Sequence, residues 1–216
     1  MRFFVIRHGE TAWNVEGRFQ GQQDTALNEK GLAQAGMLGE RLAGHKFEAV
    51  LTSPLDRAKK TAELASSKCE IGEFSEIPAF TEINHGDWEG RLSTEVAAEW
   101  PELLRRWHTA PETVKMPGEG GESLEDIARR AVPAVEAAAK KYKGDVLLAS
   151  HDAVIKVLLC HWLDAPLSSF FRFQIPNCSH HDRRGKGKLR AQNEPHGRRG
   201  ASRRKLRKPR AKGLVV

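Results

Sequence analysis

The stretch Phe3-Phe4-Val5-Ile6-Arg7-His8-Gly9-Glu10-Thr11-Ala12-Trp13-Asn14 opens on four apolar residues and breaks abruptly into a polar loop. A short unbroken apolar run is the pattern of a strand buried on both faces. The pattern recurs twice: Ala49-Val50-Leu51 leads into Thr52-Ser53-Pro54, and Val146-Leu147-Leu148-Ala149 leads into Ser150-His151-Asp152. Helical signals follow each run. Asn28 is placed to cap a helix from Glu29 to Leu42, with Leu32, Ala35, Gly36, Gly39 and Leu42 on one face and Gly44 just beyond. Pro54 suits the first turn of a helix after the second run, and Ala153–Leu163 reads as a helix after the third. Ser123 caps a longer helix with Leu124, Ile127, Ala128, Ala131, Val135 and Ala138 as its buried stripe, and Pro133 is expected to kink or divide it. Repeated βα units require a mostly parallel sheet covered by helices on both faces, an α/β three-layer sandwich.

The chain has 216 residues, 39% of them hydrophobic, enough for the core of one domain. No apolar run approaches a membrane span, and Met1–His8 is too short and too soon charged for a signal peptide. Three cysteines (Cys69, Cys160, Cys178) without a CxxC pair give neither a disulfide framework nor a Cys-rich zinc site. These features point to a soluble, cytoplasmic protein. The net charge of +7 is unevenly placed: residues 180–216 hold 14 Lys and Arg against 2 Asp and Glu, and the preceding 179 residues are mildly acidic. A case for nucleic-acid binding is therefore a case about the tail alone, through non-specific phosphate contacts.

In open parallel sheets, ligands bind beyond the C-terminal ends of the strands. The segments there are Arg7-His8-Gly9, Thr52–Arg57 and Ser150-His151, so cationic and ionisable groups gather at one edge. Arg7 and Arg57 offer planar forks matched to phosphate oxygens, with His151 and Asn14 as further donors. His8 among them is suited to in-line attack on phosphorus, provided one ring nitrogen is unprotonated and the other donates to a fixed carbonyl. A metal held by His8 and His151 is disfavoured by the flanking guanidiniums, and no cofactor is expected. His85, His108 and His161 read as ordinary core or surface histidines, and Trp88, Trp100 and Trp107 as core.

Arg7-His8-Gly9-Glu10-Thr11-Ala12-Trp13-Asn14 resembles the R-H-G-E-T-x-x-N signature of the histidine phosphatase superfamily, which includes the cofactor-dependent phosphoglycerate mutases. The resemblance continues through Gly17–Gly21, Leu27–Ala35, Ser53–Ala58, Glu82–Gly90, Gly120–Ser123 and Ser150-His151, and covers about residues 1–179. It implies a phosphoglycerate mutase-like fold, His8 as nucleophile and Glu82 as proton donor. Glu76, Asp87 and Glu89 are neighbouring carboxylates that compete for the latter role. It also implies a phosphate clamp of Arg7, Arg57 and His151, with Asn14, Gln20 and Gly21 on the substrate. The segment Gly86-Asp87-Trp88-Glu89-Gly90 looks like the phosphatase branch, which hydrolyses small phosphomonoesters; the mutase branch, with an Arg-His-Tyr-Gly-type segment and a basic insertion, is the alternative.

After Ser179 the resemblance calls for one more apolar strand, yet the chain reads His180-His181-Asp182-Arg183-Arg184. The expected division is a domain over 1–179 and a basic, disordered tail over 180–216. His-His-Asp codons read from their second base give Ile, Met or Thr, which suggests a shifted reading frame and a sheet missing an edge strand.

Overall fold

The computed structural model describes residues 1–178, and the backbone alone of 180–184 and 188–191. Strands β1 (Arg2–Arg7), β2 (Lys46–Thr52), β3 (Glu70–Glu76) and β4 (Val146–Ser150) are parallel, in the order β3-β2-β4-β1. The three apolar runs are three adjacent strands of that order, β2, β4 and β1. Helices α1 (Ala12–Glu16), α2 (Glu29–Leu42), α3 (Asp56–Ser66), α4 (Ser93–Glu99), α5 (Pro101–Thr109), α6 (Leu124–Lys141) and α7 (Asp152–Trp162) complete the ordered body. Side chains alternate along β1: Phe4 and Ile6 join a core with Leu38 and Leu42 of α2 and Ala62 and Ala65 of α3. Phe3 and Val5 join a larger one with Ile127, Ala131 and Val135 of α6 and Val154 and Leu158 of α7. The sheet is thus covered on both faces, and the expected α/β sandwich is present.

The caps read from sequence are made. The Asn28 side chain accepts from Gly31 N–H, and Ser123 accepts from Asp126 N–H in a reciprocal capping box. Pro133 does not divide α6, which runs as one helix of 18 residues. No helix among the described residues is long and apolar enough to cross a membrane.

The expectation for the segment after Ser179 needs correcting in one respect. The backbone of β5 (His180–Arg184) pairs antiparallel with β1, and β6 (Lys188–Ala191) pairs with β5, so the sheet continues beyond β1. Ladder hydrogen bonds are made by backbone N–H and C=O groups, which a change of side-chain chemistry leaves in place. Residues 192–216, where most of the expected basic tail falls, lie outside the described residues.

One close approach fixes the loop after β1. Gly31, in the first turn of α2, faces Glu10 so tightly that a Cβ would overlap the Glu10 carbonyl oxygen, whereas Gly36 in the same helix faces open space. Gly31→Ala should therefore destabilise the protein by about 1–3 kcal/mol through overpacking. Gly36→Ala should stabilise it by about 0.5–1 kcal/mol through helix propensity. Urea unfolding midpoints of the two variants would check the opposite signs.

Candidate active site

β1 and β4 are in register with Arg7 opposite Ser150, and His8 N–H donates to the Ser150 carbonyl at 3.0 Å. Parallel pairing thus brings two loops 143 residues apart side by side, with the His8 and His151 ring centroids 5.2 Å apart. Ser53, at the end of β2, donates its N–H to the Ala149 carbonyl and adds the third loop. Arg7, His8, Asn14, Gln20, Gly21, Arg57 and Glu82 line one cleft of about 200 Å³. His151, fully buried, lies behind the cleft lining beside His8.

The His8 ring is anchored by Nδ1, 2.7 Å from the Gly9 carbonyl oxygen. A carbonyl can only accept, so Nδ1 carries the proton and Nε2 keeps its lone pair when the ring is neutral. Burial, then the charges of Arg57 and Arg7, hold His8 well below the usual histidine range. His151 is likewise kept neutral, by burial first and then by Arg57. Its Nε2 lies 2.7 Å from Ser53 Oγ, and its buried Nδ1 has no partner among the described residues.

Arg57 has no exposed surface, so its donors must find acceptors in the protein or in a bound ligand rather than in bulk water. Nη1 donates to the Gln23 carbonyl and Nη2 to the Gly21 carbonyl, both at 2.7 Å. Two of five N–H groups are thereby committed to the loop, and the buried Nε is unpaired. Arg7 donates through Nη1 to the Ile175 carbonyl at 2.6 Å, with its buried Nε also unpaired. Two buried N–H donors lacking acceptors, both on cations, are what an anion would satisfy.

The amides are oriented by what they already accept. Asn14 Oδ1 takes the Thr11 N–H in the cap of α1, and Gln20 Oε1 takes hydroxyls from Thr11 and Thr25. Each NH2 group is therefore left as the available donor toward the cleft. Gly21 contributes backbone rather than side chain: its φ is +54°, and a Cβ would collide with the Glu89 carboxylate. Glu82 is 8% exposed, and its Oε1 accepts from Ile83 N–H at 3.0 Å. Burial, with Asp152 adding to it, raises Glu82 above the usual carboxylate range and outweighs the Ile83 N–H and both arginines. Of the competing carboxylates, Glu89 is used as a brace, accepting from Gln22 and His85 N–H groups.

Several lining residues were not among the sequence candidates. Arg18, Phe19, His85, Trp107, Asp152, Phe170 and Phe171 also face the cleft. His85, read as ordinary, is half-buried, its enclosed Nδ1 is unpaired, and desolvation holds it down to about 4. Phe19 and Trp107 meet its ring edge to face at 5.1 and 6.3 Å. Trp88 is core, as expected, while Trp107 is both core and cleft wall. Arg18 and Phe19 fall in the Gly17–Gly21 motif, His85 in Glu82–Gly90 and Asp152 just after Ser150-His151, but a linear motif does not say which side chains turn inward.

The geometry makes a pH prediction. A buried histidine held neutral binds its proton in the unfolded chain first, so stability falls as pH drops below about 6.5. For His85 that loss continues to about 4. Each such ring contributes up to about 1.4 kcal/mol per pH unit within its window. Glu82 acts with the opposite sign, because its raised value lets the folded state bind a proton first. Unfolding free energy measured by urea at pH 7.5 and 5.5 should drop at the lower pH, and His85→Phe should reduce that drop.

Comparisons with known proteins identify the family. A family model described as histidine phosphatase superfamily, branch 1, matches residues 3–188. Phosphoserine phosphatase 1 of Hydrogenobacter thermophilus is 34% identical over 183 residues, 83% of this chain and 84% of that protein. The metal-independent phosphoserine phosphatase of Arabidopsis thaliana is 38% identical over 71% of this chain and 65% of its own length, and a phosphoglycerate mutase-like protein of the same plant also matches. The solved structure of Bacillus stearothermophilus YhfR superposes with a TM-score of 0.79 at 32% identity, covering 88% of this chain and 94% of that one.

Proposed function

The chain belongs to branch 1 of the histidine phosphatase superfamily, and on that premise we propose that it hydrolyses small phosphomonoesters at the cleft between β1, β4 and the Glu82 loop. The observation that carries the reading is His8: a buried imidazole, neutral, fixed through Nδ1, in one cleft lining with two guanidiniums whose charges act on it. A phosphate dianion would satisfy the unpaired Nε donors of Arg7 and Arg57, and Asn14 and Gln20 of the same lining supply amide donors. His8 Nε2 attacks phosphorus in line as the P–O bond to the leaving group breaks, and Glu82 gives its proton to the departing oxygen. The resulting Glu82 carboxylate then takes a proton from water as that water attacks the phosphohistidine. Inorganic phosphate leaves, and His8 and Glu82 return to their starting states.

The cationic clamp supplies the charge neutralisation for which many phosphoryl-transfer sites use Mg²⁺. That suits a metal-independent phosphatase, the description carried by one of the relatives. Hydrolysis is favoured over mutase chemistry by the short Glu82–Gly90 segment and by the phosphoserine phosphatases among the relatives. Phosphoserine is accordingly the first substrate to test. A cytoplasmic location is consistent with three free cysteines, one of them buried. A contribution of residues 180–216 to nucleic-acid binding would be non-specific and lost at moderate salt.

Activity should persist in excess chelator, and His8→Ala should lose at least about a thousandfold in turnover. Rapid acid-free quenching with labelled substrate should recover an acid-labile phosphoryl group on His8; dependence on an added divalent ion would overturn the scheme. Glu82→Gln should lower kcat/KM about a hundredfold for an alkyl phosphate and only a few-fold for p-nitrophenyl phosphate, whose leaving oxygen needs no proton. Equal losses on the two substrates would remove Glu82 from the proton-donor role.

A further inference from the structure

The Gly120–Ser123 motif has no part in the chemistry above, yet Glu122 of that motif is joined to Arg130 one turn and more into α6. Arg130 donates through Nε to Glu122 Oε1 at 2.8 Å and through Nη2 to Glu122 Oε2 at 2.9 Å, a two-pronged pair. Its remaining donors turn toward the loop before the proton donor: Nη1 to the Ala79 and Thr81 carbonyls at 2.8 and 2.7 Å, and Nη2 to the Glu82 carbonyl at 3.1 Å. Five N–H groups meet five acceptors, so the guanidinium is saturated. Around it, Ser150 Oγ donates to the Phe80 carbonyl, Gln22 Nε2 donates to the Glu82 carbonyl, and Glu122 Oε2 accepts from Asn84 N–H. Four consecutive carbonyls, from Ala79 to Glu82, are held, three of them by this one side chain.

We propose that Arg130, locked by Glu122, is a positioning residue that sets the place of the Glu82 carboxyl relative to the leaving oxygen; this rests on the reading of Glu82 as proton donor. A side chain in the loop can deliver a proton only within hydrogen-bond reach, and a misplacement of about 1 Å is enough to cost about a hundredfold. The main chain around Glu82 crosses from the short helical turn at Pro78–Phe80 to the one at Gly86–Trp88 and lies in no strand or α-helix. Its position is therefore fixed by side chains rather than by a ladder. Lysine cannot replace the guanidinium, since one ammonium has three donors and no planar fork.

The test compares leaving groups. In Arg130→Met, kcat/KM for O-phosphoserine and phenyl phosphate should fall at least tenfold while p-nitrophenyl phosphate changes less than threefold, steepening the dependence on leaving-group pKa. Arg130→Lys should recover little of the loss. In a Glu82→Gln background, Arg130→Met should add no further selective loss, because the group it positions is no longer an acid. A parallel fall on all three substrates, or none, would overturn the inference and leave Arg130 a purely structural residue. Should Arg130→Met not fold, Glu122→Gln decides in the same way, with selective loss supporting the inference and parallel loss overturning it. If Glu82→Gln is selective and Arg130→Met is not, the positioning role alone falls; if Glu82→Gln is not selective, both fall together.

Discussion

The buried guanidinium of Arg57 is the constraint around which the site is organised. A permanent charge with no exposed surface must be surrounded by acceptors, and it finds them in the Gly21 and Gln23 carbonyls of a loop remote in sequence. That loop is tied in turn to the Glu82 segment, through Gln22 on the Glu82 carbonyl and through Glu89 on the Gln22 N–H. Burial first, and then the same charge, keeps His8 and His151 unprotonated. One buried cation therefore anchors the 21–23 loop, favours the neutral form of His8 and keeps one unpaired donor.

The site separates two demands that a single environment would set against each other. On the proposed reading the nucleophile must be neutral beside cations, and a carboxyl must be protonated beside the same cations. For His8, burial and the arginines act in the same direction. For Glu82 they oppose, and burial reinforced by Asp152 prevails. Asp152 is itself held between Arg7 at 3.4 Å and the buried Lys156 at 2.7 Å, so its charge stays close to Glu82 without being free to wander.

The segment after Ser179 shows the limit of compositional reading. Its side chains are unlike those of a core strand, and a sheet lacking its edge was the consequence drawn from them. The backbone nonetheless pairs with β1 over His180–Arg184. Composition speaks to what a strand's faces bury; it is silent on whether the main chain can complete a ladder.

The central parallel strands, the helices between them and the gathering of Arg7, His8, Arg57 and His151 at one edge were legible in the sequence. Unbroken apolar runs, cap residues and the chirality of βα units are local properties with one compact solution. Glu82, Gln20 and Gly21 could be singled out only through family resemblance, since nothing local distinguishes Glu82 from Glu76 or Glu89. What the tertiary structure alone decided is the state and company of each group: which nitrogen of His8 is protonated, which of four carboxylates is buried enough to hold a proton, and that His85 and Trp107 face the cleft. It also decided that Arg130 spends all five donors on Glu122 and the Glu82 loop. Protonation and orientation depend on burial and on partners tens of residues away, and those are set only when the chain has closed on itself.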